Sequence, residues 1–356
     1  MDNRWKRLGD IIVNYSLKVR PGEKVMIAMV EIETYDLMKC VYDSVIRAGG
    51  YPQVQFLSEE LRHALLLHGN DEQISWVPEM ELWGMEWADA YVALRGAHNL
   101  YELQDIPSER LSVQQEVLGK VSTSRWMNTR WLLIRVPTGE YAQQARCDYE
   151  TILDMFFDSC FLDWEKEKEK WDGWSETLNR GKTVRVLGNG TDLTLSVEGR
   201  RWIPAAGGNN MPDGEIATSP VCESVNGTIY FDNPGVLSGR LVEGISLTWK
   251  DGELVDASSR TEREFFKSIL HKDAGSSKVG ELAIGTNHAV TRFCNDILSD
   301  EKIYGTMHIA LGRAYPESGG TNKSAIHWDI IKDMRSPGSA ILLDGKPILK
   351  DGEVLL

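Results

Sequence analysis

Apolar and polar positions alternate differently in the two halves of the chain. In the first half, short continuous apolar runs are separated by stretches with helical spacing. "EKVMIAMV" (23–30) follows the turn signal "RPG" and predicts a buried strand. "ETYDLMKCVYDSVIRAGG" (33–50) has apolar residues at helical intervals and stops at Gly-Gly. "YPQVQF", "ADAYVALRG" (88–96) and "RWLLIRVP" (130–137) predict three more strands, with the helical "SERLSVQQEVLGKVS" (108–122) before the last. Strand and helix in alternation predict a parallel sheet covered by helices. A long helical region is expected from about Gly139 to about Asn179. Its charge run "DWEKEKEKWDGW" (163–174) reads as a solvated helix face.

From about Lys182 the period shortens to two. "TVRVLGNGTDLTLSVEG" predicts a hairpin around Asn189-Gly190. "GISLTWKDGELVDAS" and "GKPILKDGEVLL" predict hairpins turning at Asp-Gly. One helix, "SRTEREFFKSILHKD" (259–273), interrupts them. The expected architecture is therefore an α/β N-terminal domain with a parallel sheet, residues 1–180, followed by a mostly β, α+β C-terminal domain, residues 181–356, that carries the chemistry. The α/β half contains no P-loop and no G-x-G-x-x-G, so it has no readable nucleotide signature.

Composition narrows the partners. Hydrophobic residues make up 42% and charged residues 26% of the 356, the profile of a globular protein without a membrane span. A formal net charge of −14 argues against nucleic acid and anionic membranes, which require a basic surface. The start, "MDNRWKRLGDIIVNYSLKV", reads as an amphipathic helix and not a signal peptide. Five scattered cysteines without a C-x-x-C pair suit a reducing compartment. A cytoplasmic location is expected.

Four stretches of the second half hold candidate chemistry. Glu215 lies where the loop "GGNNMPDG" feeds a strand, and Glu281 just before the apolar "LAIG". Each taken alone reads first as a solvated strand end. In "DEKIYGTMHIALG" (300–312), Thr306, His308, Ala310 and Gly312 share one strand face and Met307, Ile309 and Leu311 the other. The small neighbours leave room beside His308. In "SAIHWDII" (324–331), His327 and Asp329 point one way and Trp328 the other. Burying such an imidazole–carboxylate pair without a partner is costly. Together these are three carboxylates and two imidazoles from four strand ends. That donor set suits zinc, manganese or cobalt, and suffices for two ions sharing a carboxylate. Arg313, between His308 and Tyr315, is placed to clamp a substrate carboxylate or to form a surface ion pair.

The segments "NMPDGEIATSPVCESVNGTIYFDNP", "GELAIGTN", "DEKIYGTMHIALGRAYP" and "GGTNKSAIHWDII" resemble, in order, the thermophilic metallo-aminopeptidase family of the aminopeptidase T or leucyl aminopeptidase type. The tyrosine seven residues after the first histidine matches too, and so does the front half, "VRPGEKVMIAMVEIETYDLMKCVYDSVIRAGG". The resemblance implies a cocatalytic pair of divalent ions, hydrolysis of N-terminal residues from small peptides by a metal-activated water, and a homodimer. It implies Glu215, Glu281, His308, His327 and Asp329 as metal ligands. It also implies Tyr315 as the oxyanion stabiliser and Glu301, seven residues before His308, as the general base. Two departures bear on the substrate: a short segment between Tyr315 and His327, and His288 where a proline or small residue is expected. Related proteins of this type also deaminate an aromatic amine hydrolytically or cleave a dihydroxypyridine ring with one iron. A small aromatic or amide substrate is therefore the alternative, with His308, His327 and Asp329 as a 2-His-1-carboxylate iron set. A binding protein that has kept the fold and lost catalysis is a third reading.

Overall fold

The computed structural model describes residues 2–356. The chain forms two compact units, one of residues up to Phe161 together with Gly207–Pro212, the other of Leu162–Ala206 with Asp213–Leu356. Among the described residues no helix is long and apolar enough to cross a membrane.

The first unit is built on a five-stranded parallel sheet. Its strands are β1 (Lys24–Val30), β2 (Tyr51–Leu57), β3 (Ala90–Arg95) and β4 (Arg130–Arg135), with Asn210–Met211 added beside β4, in the order β2–β1–β3–β4–Asn210–Met211. The central β1 and β3 are buried along almost their whole length, as their unbroken apolar runs require. The edge strand β2 alternates exposed and half-buried positions. The predicted helix at 108–122 runs further, Ser108–Asn128. The region expected as continuous helix from 139 to 179 is three helices, Gly139–Gln144, Tyr149–Cys160 and Trp164–Leu178. The breaks have local causes: Asp148 caps the second helix through Thr151 N–H, and Asp163 caps the third through Lys166 N–H.

The second unit holds an eight-stranded antiparallel sheet made of the predicted hairpins and their neighbours. Thr183–Gly188 pairs with Thr191–Ser196, Ser246–Lys250 with Glu253–Ser258, and Lys346–Lys350 with Glu353–Val354. The Asp-Gly turns have positive φ at both residues, +50° and +76° at Asp251-Gly252 and +49° and +86° at Asp351-Gly352. That is the backbone a two-residue hairpin needs. The helix expected at 259–273 is confined to Arg263–Leu270.

The other sheet of this unit positions the chemistry. It contains Ile203–Ala205, β5 (Glu215–Thr218), β6 (Val279–Gly285), β7 (Thr306–Gly312) and β8 (His327–Asp333), ordered β8–β7–β6–β5–Ile203–Ala205 and antiparallel throughout. β6 and β7 are buried at every position. One face of β7 carries Met307, Ile309 and Leu311 into the core. On that side Trp328 of β8 meets Phe266 edge to face, ring centroids 6.1 Å apart.

Candidate metal centre

Strand register brings the polar residues onto one face. Glu281 pairs with Ala310 across β6 and β7, and Ala310 pairs with Asp329 across β7 and β8. His308 faces Ala283, His327 faces Gly312, and Glu215 faces Gly285. Paired residues share a face, and so do residues two apart, so all five lie on the same side of the sheet. Each has an alanine or glycine beside it, which is what leaves space for their side chains. Glu281 is not the exposed strand start that its place before "LAIG" permits. It is buried inside β6, just after a register shift between Val279 and Glu281. The bulge depends on Gly280, where a Cβ would lie 2.4 Å from the Gly312 carbonyl oxygen. Bulges of this kind re-aim a side chain beside a functional site.

The side chains form two clusters, Glu215–Glu301–His308 and Glu281–His327–Asp329, each able to converge on one ion. Glu281 joins them. Its Oε1 lies 3.8 Å from His308 Nε2 and its Oε2 3.1 Å from His327 Nε2. Glu215 Oε2 is 3.4 Å from His308 Nε2, and Asp329 Oδ1 is 3.3 Å from His327 Nε2. His327 Nδ1 lies 2.7 Å from the Arg313 carbonyl oxygen. That acceptor fixes the proton on Nδ1 and leaves the Nε2 lone pair for the site, the usual support of a metal-binding imidazole.

The electrostatics follow from burial and neighbours. Burial pushes the Glu281 carboxyl up, but the imidazoles of His308 and His327 beside it outweigh burial and hold Glu281 below the ordinary carboxylate range. Burial opposes charge on His308. The nearby carboxylates of Glu281, Glu215, Asp329 and Glu301 prevail and raise it to about 9. His327 is driven up in the same way, burial again being outweighed, chiefly by Asp329. Glu301 rises to about 8 because burial, with Glu215 and Asp329 nearby, exceeds the help from Lys302.

Do these residues fit divalent ions? Glu215 Oε2 and Asp329 Oδ1 are shielded from solvent and have no hydrogen-bond partner. Both point at imidazole Nε2 atoms inside the clusters. Buried carboxylates of this kind call for a cation, and the mixed oxygen and nitrogen donors suit a borderline divalent metal. The set fits.

Of the remaining expected residues, Tyr315 stands next to the second cluster, its ring meeting His327 edge-on at 4.9 Å between centroids. Desolvation raises its phenol to about 12, so it stays a hydrogen-bond donor. Its backbone is clamped. Tyr315 N–H donates to Ser219 Oγ at 3.2 Å, while its carbonyl accepts from Ser318 Oγ at 2.8 Å and Gly320 N–H at 3.0 Å. Arg313 is exposed and enters neither cluster; its part in the geometry is the carbonyl that orients His327. His288 stacks on Tyr304 at 3.7 Å.

Nothing in the local pattern singles out Lys302. It is fully buried, with its ammonium 2.7 Å from Glu215 Oε1, 2.7 Å from Glu301 Oε1 and 3.4 Å from Asp213 Oδ1. In "DEKIYG" it looks like an ordinary surface charge. The available signal was the excess of carboxylates expected at one site, which needs an internal cation.

Two adjoining clusters of carboxylates and imidazoles, built largely on one sheet face, are a donor set of the kind that holds divalent metal in a metal-dependent enzyme. The family model described as thermophilic metalloprotease (M29) matches residues 1–354, and the chain belongs to that family. It is 26% identical to Aminopeptidase 2 of Geobacillus stearothermophilus, over 98% of both chains. Its fold matches AmpT from Thermus thermophilus with a TM-score of 0.87 at 22% identity, over 99% of both chains. It also matches 2,5-dihydroxypyridine dioxygenase from Pseudomonas putida KT2440, with a TM-score of 0.63 at 16% identity, over 100% of this chain and 98% of the other. As a member of a metalloprotease family the protein is a hydrolase that uses divalent metal and acts on peptides.

Proposed function

We propose that this protein is a dinuclear metal-dependent aminopeptidase that releases N-terminal residues from small peptides. The observation that carries this reading is the position of Glu281, one oxygen toward each imidazole. This placement supports two adjacent ion positions that would share one carboxylate. Glu215 and His308 would hold one ion, His327 and Asp329 the other, and Glu281 both. Two bound divalent ions, zinc, manganese or cobalt, supply a water activated at neutral pH and a polarised scissile carbonyl. The chain's own residues do the rest. Glu301, raised to about 8, suits the role of general base that takes the proton from water and passes it to the leaving amine. The Tyr315 hydroxyl donates to the oxyanion as the carbonyl becomes tetrahedral. The Arg313 guanidinium, exposed beside Tyr315, is offered to a substrate carboxylate. A homodimer in the cytoplasm, expected from the resemblance and from scattered cysteines without a C-x-x-C pair, belongs to the same proposal.

The test is a screen of aminoacyl anilides and short peptides after reconstitution with each metal, scored against Glu215→Ala. Amine release lost in the variant supports the proposal; none from any substrate overturns it.

The second reading, iron-dependent cleavage of a small aromatic, is favoured by the dioxygenase fold match. It needs His308, His327 and Asp329 on a single ion. The clusters instead part His308 from His327 and Asp329 and give it Glu215 and Glu301, which favours the dinuclear site. Oxygen consumption with Fe(II) and a dihydroxypyridine would reverse this preference.

A further inference from the structure

Two lysines of the second unit are completely buried, and their surroundings differ. The Lys332 ammonium meets the carbonyl oxygens of Tyr230 and Asn189 at 2.8 and 3.3 Å and Asp232 at 3.2 Å, an ordinary way to satisfy a buried cation. The Lys302 ammonium meets three carboxylates, two of which belong to the first cluster. It touches Oε1 of Glu215 and Oε1 of Glu301, and Glu215 Oε2 is left without a hydrogen bond, toward His308. Its backbone is held as well. Asn287 N–H donates to the Lys302 carbonyl at 2.9 Å, and Asn287 Nδ2 donates to the Asp213 carbonyl at 2.7 Å.

From this geometry we infer that Lys302 is a positioning residue for the first metal ion. By holding Glu215 Oε1 it leaves Oε2 to face the ion, and by holding Glu301 Oε1 it orients the base beside it. Outer contacts of this kind set ligand orientation, and their loss costs about 10–100-fold in metal affinity. Formal charge agrees. Lys302 offsets part of the negative charge that Asp213, Glu215 and Glu301 bring together, and the carboxylates that remain still favour divalent ions. Positioning and simple charge repulsion predict opposite signs: removing an ammonium that merely repels the ion would tighten binding, whereas removing one that orients its ligands weakens it.

The inference rests on the dinuclear reading, and calorimetric titration of chelator-stripped protein with Zn²⁺ separates the two. The wild type should take up two ions. Lys302→Met should weaken one of them about 10–100-fold and leave the other unchanged, a selective loss that general destabilisation does not produce. Unchanged affinity at both positions, equal weakening of both, or tighter binding would each overturn the inference. If Lys302→Met does not fold, Lys302→Met/Asp213→Asn removes one charge of each sign and keeps both clusters' ligands. Compared with Asp213→Asn alone, it should show the same selective loss. Uptake of a single ion by the wild type refutes the dinuclear reading by itself. The inference then stands if Lys302→Met weakens that ion and falls if it does not.

Discussion

Glu281 meets His327 at 3.1 Å through Oε2 while turning Oε1 toward His308, so one buried carboxylate ties the two imidazoles of the site together. Replacing it should disturb both ion positions at once. Glu281→Ala is expected to lower metal content below that of Asp329→Ala, which touches only the second cluster, and to reduce turnover at least about 100-fold. Elemental analysis of the two variants after dialysis checks the order. Equal metal content in both would remove the shared role.

The aim of Glu281 depends on a bulge with no room for a side chain. Gly280→Ala would put a Cβ 2.4 Å from the Gly312 carbonyl oxygen and 2.7 Å from that of Arg313, the carbonyl that orients His327. Activity should fall at least about tenfold. Ala310→Leu tests the same face differently, since Ala310 separates Glu281 from Asp329 in the pairing. Zn²⁺ binding should be largely lost there even if the sheet survives. Wild-type affinity in Ala310→Leu would mean that the ligands do not converge over this row.

Tyr315→Phe removes a donor and little volume. Loss of one oxyanion donor is expected to reduce kcat about 10²–10³-fold with little change in KM. Ser219→Ala, which releases the Tyr315 backbone N–H, should give a smaller loss in the same parameter. Steady-state kinetics on one peptide decide it. A change confined to KM would place Tyr315 in substrate binding.

The acid–base balance makes the stability of the metal-stripped protein depend on pH. His308 is raised to about 9 in the folded chain. A group raised on folding gives its full stabilisation below its unfolded value, about 6.5, and loses it as pH climbs through the folded one. Glu301, raised to about 8, acts in the same direction from its lower unfolded value upward. Melting temperature of chelated protein should therefore fall between about pH 6.5 and 9. Saturating Zn²⁺ should remove that slope, because the imidazoles shed their protons to bind it. A flat profile without metal would contradict the charge balance described.

Much of this site is written in strand periodicity. The two-residue spacing of His327 and Asp329, and the small residues in register with His308, could be read from one segment because a pleated strand makes face a matter of counting. The hairpin turns were legible from Asp-Gly for the same local reason. What stayed hidden depends on pairing. The bulge at Gly280 exists only against β7, so Glu281 looked like a solvated strand end. Asn210–Met211 joins the parallel sheet through contacts remote in sequence. Lys302 is polar by type and buried by context, since only the convergence of Asp213, Glu215 and Glu301 makes an internal ammonium favourable.

The central claim is that two ions act together over one shared glutamate. Zinc, manganese or cobalt should be added stepwise to chelator-stripped protein while N-terminal residue release from a short peptide is followed. Activity should rise until about two equivalents per chain and level there. Full activity at one equivalent, or none at any loading, would contradict the dinuclear aminopeptidase.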